Sequence, residues 1–175
     1  MRNLIKKPIV LVGMMGSGKS TIGKRLAYKL NLQFYDSDRL IEEREGLSVV
    51  DIFDFRGEEY FKKKESEIIK EILGYGNIVL STGGESFFND EVREVIKQSA
   101  TSIWLKTSIE ILHERVSRRN TRPQLAGENK KELIEEMVSK SYPIFEQADI
   151  TIESTDMEAH FIVDTIISKL KTYLG

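Results

Sequence analysis

The octet Gly13-Met14-Met15-Gly16-Ser17-Gly18-Lys19-Ser20 carries the most specific chemistry in the chain. Its G-x-x-x-x-G-K-S spacing lets successive backbone N–H groups turn inward around phosphate oxygens, because glycine places no Cβ in the way. Lys19 can then reach the terminal phosphates of a nucleotide, and the Ser20 hydroxyl can bind Mg2+. With Thr21, these residues form the candidate ATP-binding set. A ligand-free glycine turn is the competing reading; a full octet between an apolar run and a helical stretch argues against it. The octet does not separate a kinase from an ATPase, a GTPase or a motor. No N-K-x-D occurs, so guanine selectivity has no support. No apolar run ends in a magnesium-holding aspartate either, since Ile78-Val79-Leu80 leads into Ser81-Thr82-Gly83-Gly84. The metal partner is therefore sought at Asp36. If the chain stays extended there, Asp36 and Asp38 point to one side, one for a hydrated metal and one for an acceptor hydroxyl. A plainer use is capping of a helix over Asp38–Glu45 by Asp36 or Ser37.

These residues need a scaffold that brings them together, and the chain alternates strand and helix patterns. Ile9–Val12 is short and wholly apolar, as expected of a strand buried on both faces of a parallel sheet. Similar runs fall at Gln33–Asp36, Asn77–Thr82, Ser102–Leu105 and Asp149–Ile152. Between them, Thr21–Leu30, Glu58–Leu73, Ile109–Arg119, Leu133–Val138 and Phe161–Leu174 carry helical apolar stripes. Strands alternating with helices imply crossover connections and a parallel sheet covered on both faces, a three-layer α/β/α domain. Asn120–Asn129, rich in Asn, Gly, Pro and charge, interrupts two helices and reads as a lid rather than a domain boundary.

Composition narrows the function classes. The 175 residues match one domain; they are 40% hydrophobic and 31% charged, enough for a core. With 26 basic against 28 acidic residues the net charge is −2, which disfavours a nucleic-acid partner. The absence of cysteine removes disulfides, thiolate metal sites and cysteine nucleophiles, and two histidines make a histidine metal site improbable. No apolar run approaches the roughly 18 residues of a membrane span, and Met1–Lys7 leads into only a short apolar run, unlike a signal peptide. A cytoplasmic protein acting on a small molecule, with no membrane partner, is expected.

The ordered motifs resemble the shikimate kinases, small members of the P-loop, nucleoside-monophosphate-kinase-like group. The resemblance rests on Gly13–Ser20, on Phe34-Tyr35-Asp36-Ser37-Asp38 with Ile41-Glu42, and on Ile52-Phe53, Gly57-Glu58 and Phe61 with Glu65. It continues through Ser81-Thr82-Gly83-Gly84, Arg118-Arg119-Asn120-Thr121-Arg122-Pro123, and Tyr142-Pro143-Ile144-Phe145 with Ala148-Asp149. It implies a five-stranded parallel sheet in the order 2-3-1-4-5 and one kinase domain over 1–175. An acceptor-binding insert would span about 37–65 and the lid about 120–129. It further implies transfer of the ATP γ-phosphate to the 3-hydroxyl of shikimate, a step toward aromatic amino acids, by a monomer with Mg2+. Asp36 would hold the metal through water with Ser20, and Asp38 the acceptor hydroxyls. Arg122 would close over the phosphates, beside Lys19 and Asp38 as the catalytic set. Arg118 or Arg119 would lie near adenine. Gly83 and Gly84 would present N–H groups to acceptor and γ-phosphate.

Three departures fall on the acceptor side. The resemblance expects arginines to hold the shikimate carboxylate where Lys62 and Ser141 stand, and a third glycine at Glu85. Lysine keeps the charge but loses the planar fork, and serine loses both. Lys62, Ser141, Asp38, Gly83 and Gly84 thus make a retuned acceptor set, with a high KM for shikimate expected. Lys140, beside Ser141, could compensate, although helix neighbours point about 100° apart. A kinase for another hydroxylated small molecule and a nucleotide-binding pseudoenzyme are the alternatives.

Overall fold

The computed structural model describes residues 4–117, 130–154 and 157–175. Five strands, β1 (Ile9–Val12), β2 (Gln33–Asp36), β3 (Ile78–Ser81), β4 (Thr101–Thr107) and β5 (Ile150–Ser154), form one sheet in the order β2-β3-β1-β4-β5. Every pairing is parallel, with Ile9 opposite both Val79 and Thr101, and Asp36 opposite Ser81. The fold class and strand order are those expected from the sequence.

Side chains alternate along a strand, so the uniformly apolar β1 feeds two cores. Ile9 and Leu11 join Val79, Ile103 and Leu105 under α1 (Lys19–Leu30) and α8 (Ala159–Leu174). Val10 and Val12 join Leu80 and Trp104 on the opposite face. That face is covered by α2 (Ser37–Glu45), α3 (Val49–Arg56), α4 (Glu58–Leu73), α5 (Asp90–Ser99), α6 (Ile109–Ser117) and α7 (Lys130–Phe145).

Local differences from the sequence reading have local causes. α2 starts at Ser37, not Asp38, because the Asp36 side chain caps it. α5 lies in a stretch that the periodicity reading left unassigned; Asn89 caps it, and Val92 and Ile96 are buried one turn apart. α7 runs well beyond Leu133–Val138 and contains Pro143 in its last turn, where the missing N–H removes the helical bond to the Ser139 carbonyl. The lid assignment, Asn120–Asn129, lies outside the described residues. None of the described helices is long and apolar enough to cross a membrane.

Candidate active site

The carboxyl ends of β1, β2 and β3 lie side by side, and that edge is where an open α/β sheet offers a ligand crevice. β1 stops at Val12 and the phosphate loop begins. Gly16 and Gly18 take φ of 79° and 93°, the left-handed region that glycine enters at little cost. No side chain caps α1, so its first N–H groups and positive end are left facing the loop. Lys19 is buried, and its Nζ donates to the carbonyls of Gly13 at 2.7 Å and Met14 at 2.9 Å. The ammonium therefore lies inside the curl of the loop.

Beside it, Ser20 Oγ donates to Asp36 Oδ2 at 2.6 Å and lies 3.4 Å from Ser81 Oγ. Asp36 caps the helix, as one reading of its sequence position allowed, and its second oxygen turns to Ser20. Oδ1 accepts the Arg39 N–H at 3.3 Å as a helix cap, while Oδ2 faces Ser20. Asp38 differs from the extended D-x-D geometry: it stands in the first turn of α2. The cap at Asp36 makes the helix start, so Asp38 reaches the site by helical rotation rather than by strand alternation.

The loop after β3 completes the crevice. A Cβ on Gly83 would lie 2.6 Å from Glu65 Oε1, 2.8 Å from Asp38 Oδ1 and 3.0 Å from Ser86 Oγ. Two carboxylates thus converge on the bare face of Gly83. The Gly83 N–H, expected to face a ligand, instead donates to Ser37 Oγ at 3.1 Å. A Cβ on Gly84 would meet the Met15 backbone nitrogen at 3.0 Å, so this loop packs directly on the phosphate loop. Ser86 Oγ donates to Glu65, which is buried on α4.

The altered positions separate in space. Lys62 Nζ pairs with Glu58 Oε1 at 2.5 Å on α4. That hydrogen bond is the main cause that raises its pKa above the ordinary lysine value, with Glu85 and Glu65 adding to it. Ser141 is buried in α7. A cavity of about 250 Å3 is lined by Glu85, Leu133, Glu136, Met137 and Lys140.

Two further residues belong to the site that the sequence reading did not assign to it. Glu65 had a visible signal, a carboxylate within the apolar stripe of Phe61, Ile68, Ile69 and Ile72. Arg115, on α6, donates from Nη1 to the Gly16 carbonyl at 3.3 Å and so touches the phosphate loop from outside; nothing in its local sequence distinguishes it. Arg118, Arg119 and Arg122 lie outside the described residues.

Comparison with known proteins places the fold and the sequence in one family. The family model described as shikimate kinase matches residues 15–171. The chain is 39% identical over 172 residues to the shikimate kinase of Bartonella quintana, covering 98% of this chain and 82% of that protein. It is 40% identical over 168 residues to that of Rhodopseudomonas palustris, covering 96% and 83%. Among solved structures, the shikimate kinase of Acinetobacter baumannii in complex with shikimate superposes with a TM-score of 0.92 at 30% identity, covering 98% of both chains.

Proposed function

The chain belongs to the shikimate kinase family, and from that premise we infer that it transfers the γ-phosphate of ATP to the 3-hydroxyl of shikimate. The observation that carries this reading to particular residues is the packing of Gly84 against the Met15 nitrogen, with Asp38 and Glu65 converging on Gly83. An acceptor held at those carboxylates lies next to a nucleotide held in the phosphate loop, as a direct in-line transfer requires.

The roles follow from charge and position. Lys19, together with Arg122, balances charge on the phosphoryl group in transfer. Asp38 accepts a hydrogen bond from the acceptor hydroxyl and orients it, taking its proton as the new bond forms. The backbone N–H groups of Gly13–Ser20 and Thr21 hold the nucleotide phosphates, and Arg118 or Arg119 stands near the adenine. Gly83 and Gly84 shape the acceptor side, with Lys62 beside them on α4, while Ser141, the other altered position, is buried in α7. The insert at about 37–65 binds acceptor, the lid covers about 120–129, and the chain works as a cytoplasmic monomer.

Mg2+ fits the site by donor chemistry. Ser20 Oγ, Asp36 Oδ2 and Ser81 Oγ are hard oxygens gathered beside the phosphate loop. Mg2+ favours a few such ligands plus water and phosphate oxygens. Ser20 would hold it directly and Asp36 through water, and once bound it neutralises charge on the β- and γ-phosphates. Ser20→Ala and Asp36→Asn should each raise the Mg2+ concentration needed for half-maximal rate, by about 10-fold, with a smaller effect on nucleotide affinity. Titrating Mg2+ at saturating ATP checks this; an unchanged midpoint in both variants would remove these residues from the metal site.

The function itself is tested by ADP release with ATP, Mg2+ and shikimate. Shikimate-dependent ADP formation with phosphorus-NMR detection of a phosphate monoester is expected. ADP release that ignores shikimate up to millimolar concentration would refute the reading.

A further inference from the structure

Resting on the reading that shikimate is the acceptor, we propose that Lys140 is the residue that anchors the acceptor's carboxylate. An anionic acceptor needs a cation, and the two positions expected to supply one no longer do so simply. Ser141 is 2% exposed and offers neither charge nor surface. Lys62 sits in an exposed pair, 2.5 Å from Glu58, but Glu85 and Glu65 attract its ammonium as well, so an incoming carboxylate competes there with three others.

Lys140 is placed differently. It lines the cavity that begins at Glu85, the residue after Gly84, and is walled on the other side by α7. Leu133, Met137 and Lys140 stand at spacings of four and three, so they share one helix face. The first two offer an apolar wall to a ring and the third an ammonium. Ser141 lies about 100° further round, which turns it into the protein. The anchoring charge has thus moved one residue along the helix, from a position now buried to the one that faces the cavity.

The contact that holds Lys140 is exchangeable. Its Nζ lies 2.6 Å from Glu136 Oε1, and the two side chains are 73% and 59% exposed. A pair so exposed contributes little in water, so an incoming carboxylate can take the ammonium from Glu136. Glu136 and Glu85 both line the cavity and oppose an anion, so they set how strongly the acid is held. Lys140 acts as a point charge on a flexible stem, without the fork of an arginine.

Steady-state kinetics with shikimate and with its methyl ester test the proposal. Lys140→Ala should raise KM for shikimate by about 10–100-fold, the range of one hydrogen bond to a charged group. KM for ATP, kcat and KM for the ester should stay within about twofold, and Lys140→Arg should restore the acid. Glu136→Gln should lower KM for shikimate by about threefold or more. An exposed position makes misfolding an implausible cause, and a melting curve checks it. If Lys140→Ala leaves the acid-to-ester preference as in the wild type, the proposal is wrong. If the wild type turns over neither compound, the shikimate reading fails first, and the two failures are told apart.

Discussion

Lys19→Ala is expected to lower kcat for phosphoryl transfer by about 10²–10³-fold or more, the loss typical when one preorganised electrostatic donor is removed. The side chain is buried, and its ammonium is held by the Gly13 and Met14 carbonyls inside the phosphate loop. Charge shifts within the γ-phosphate as it moves from ATP to acceptor, so a fixed cation there stabilises the transition state beyond the ground state. The substitution also leaves two loop carbonyls short of a donor, so the loop itself should bind nucleotide less tightly. Trp104, the single tryptophan, abuts Gly13 and gives an intrinsic fluorescence signal for nucleotide binding that is separate from turnover. Single-turnover ADP formation at saturating ATP isolates the transfer step. Retention of more than about a tenth of the wild-type rate, on the scale of one such donor, would show that Lys19 does not act on the transferring group.

Gly83→Ala should lower kcat by about 10²-fold while leaving KM for ATP near its wild-type value. The added Cβ would sit 2.6 Å from Glu65 Oε1 and 2.8 Å from Asp38 Oδ1, closer than a methyl group comes to an oxygen in a folded protein. Both carboxylates must then move, and misplacement of about 1 Å in a positioning group costs about 10²-fold. Overpacking of this kind also destabilises by roughly 1–3 kcal/mol, which a melting curve would register. Gly84→Ala is the informative contrast. Its Cβ would press on the Met15 nitrogen at 3.0 Å, within the phosphate loop, so KM for ATP should rise as well. A Gly83→Ala enzyme with kcat within about threefold of wild type, far short of that misplacement cost, would mean that Asp38 and Glu65 do not orient the acceptor.

The two halves of the site differ in how far the amino-acid order reveals them. The phosphate side is local: eight consecutive residues, a strand that must be buried on both faces, and a helix whose uncapped start faces the loop. The alternating strand and helix patterns likewise led to a covered parallel sheet, which is the sheet observed. Helix α5 is short, ten residues with two fully buried apolar side chains, Val92 and Ile96, so its stripe is brief along the sequence although Asn89 caps it. Asp36 shows the limit of local reading: capping and metal binding look like alternatives along the sequence, yet the cap takes only one carboxylate oxygen and the other faces Ser20.

What the sequence by itself determined is therefore the phosphate loop, the strand set and the class of nucleotide chemistry. How the residues proposed for the acceptor side come together was decided by tertiary structure. Asp38 comes from α2, Glu65 and Lys62 from α4, Gly83 and Glu85 from the loop after β3, and Lys140 from α7, so no window of sequence contains them. Each helical side chain turns about 100° from the next, and which of two neighbours meets a ligand depends on which face the sheet has already buried. Ser141 is buried and Lys140 lines the cavity because the helix turns the two neighbours to different faces.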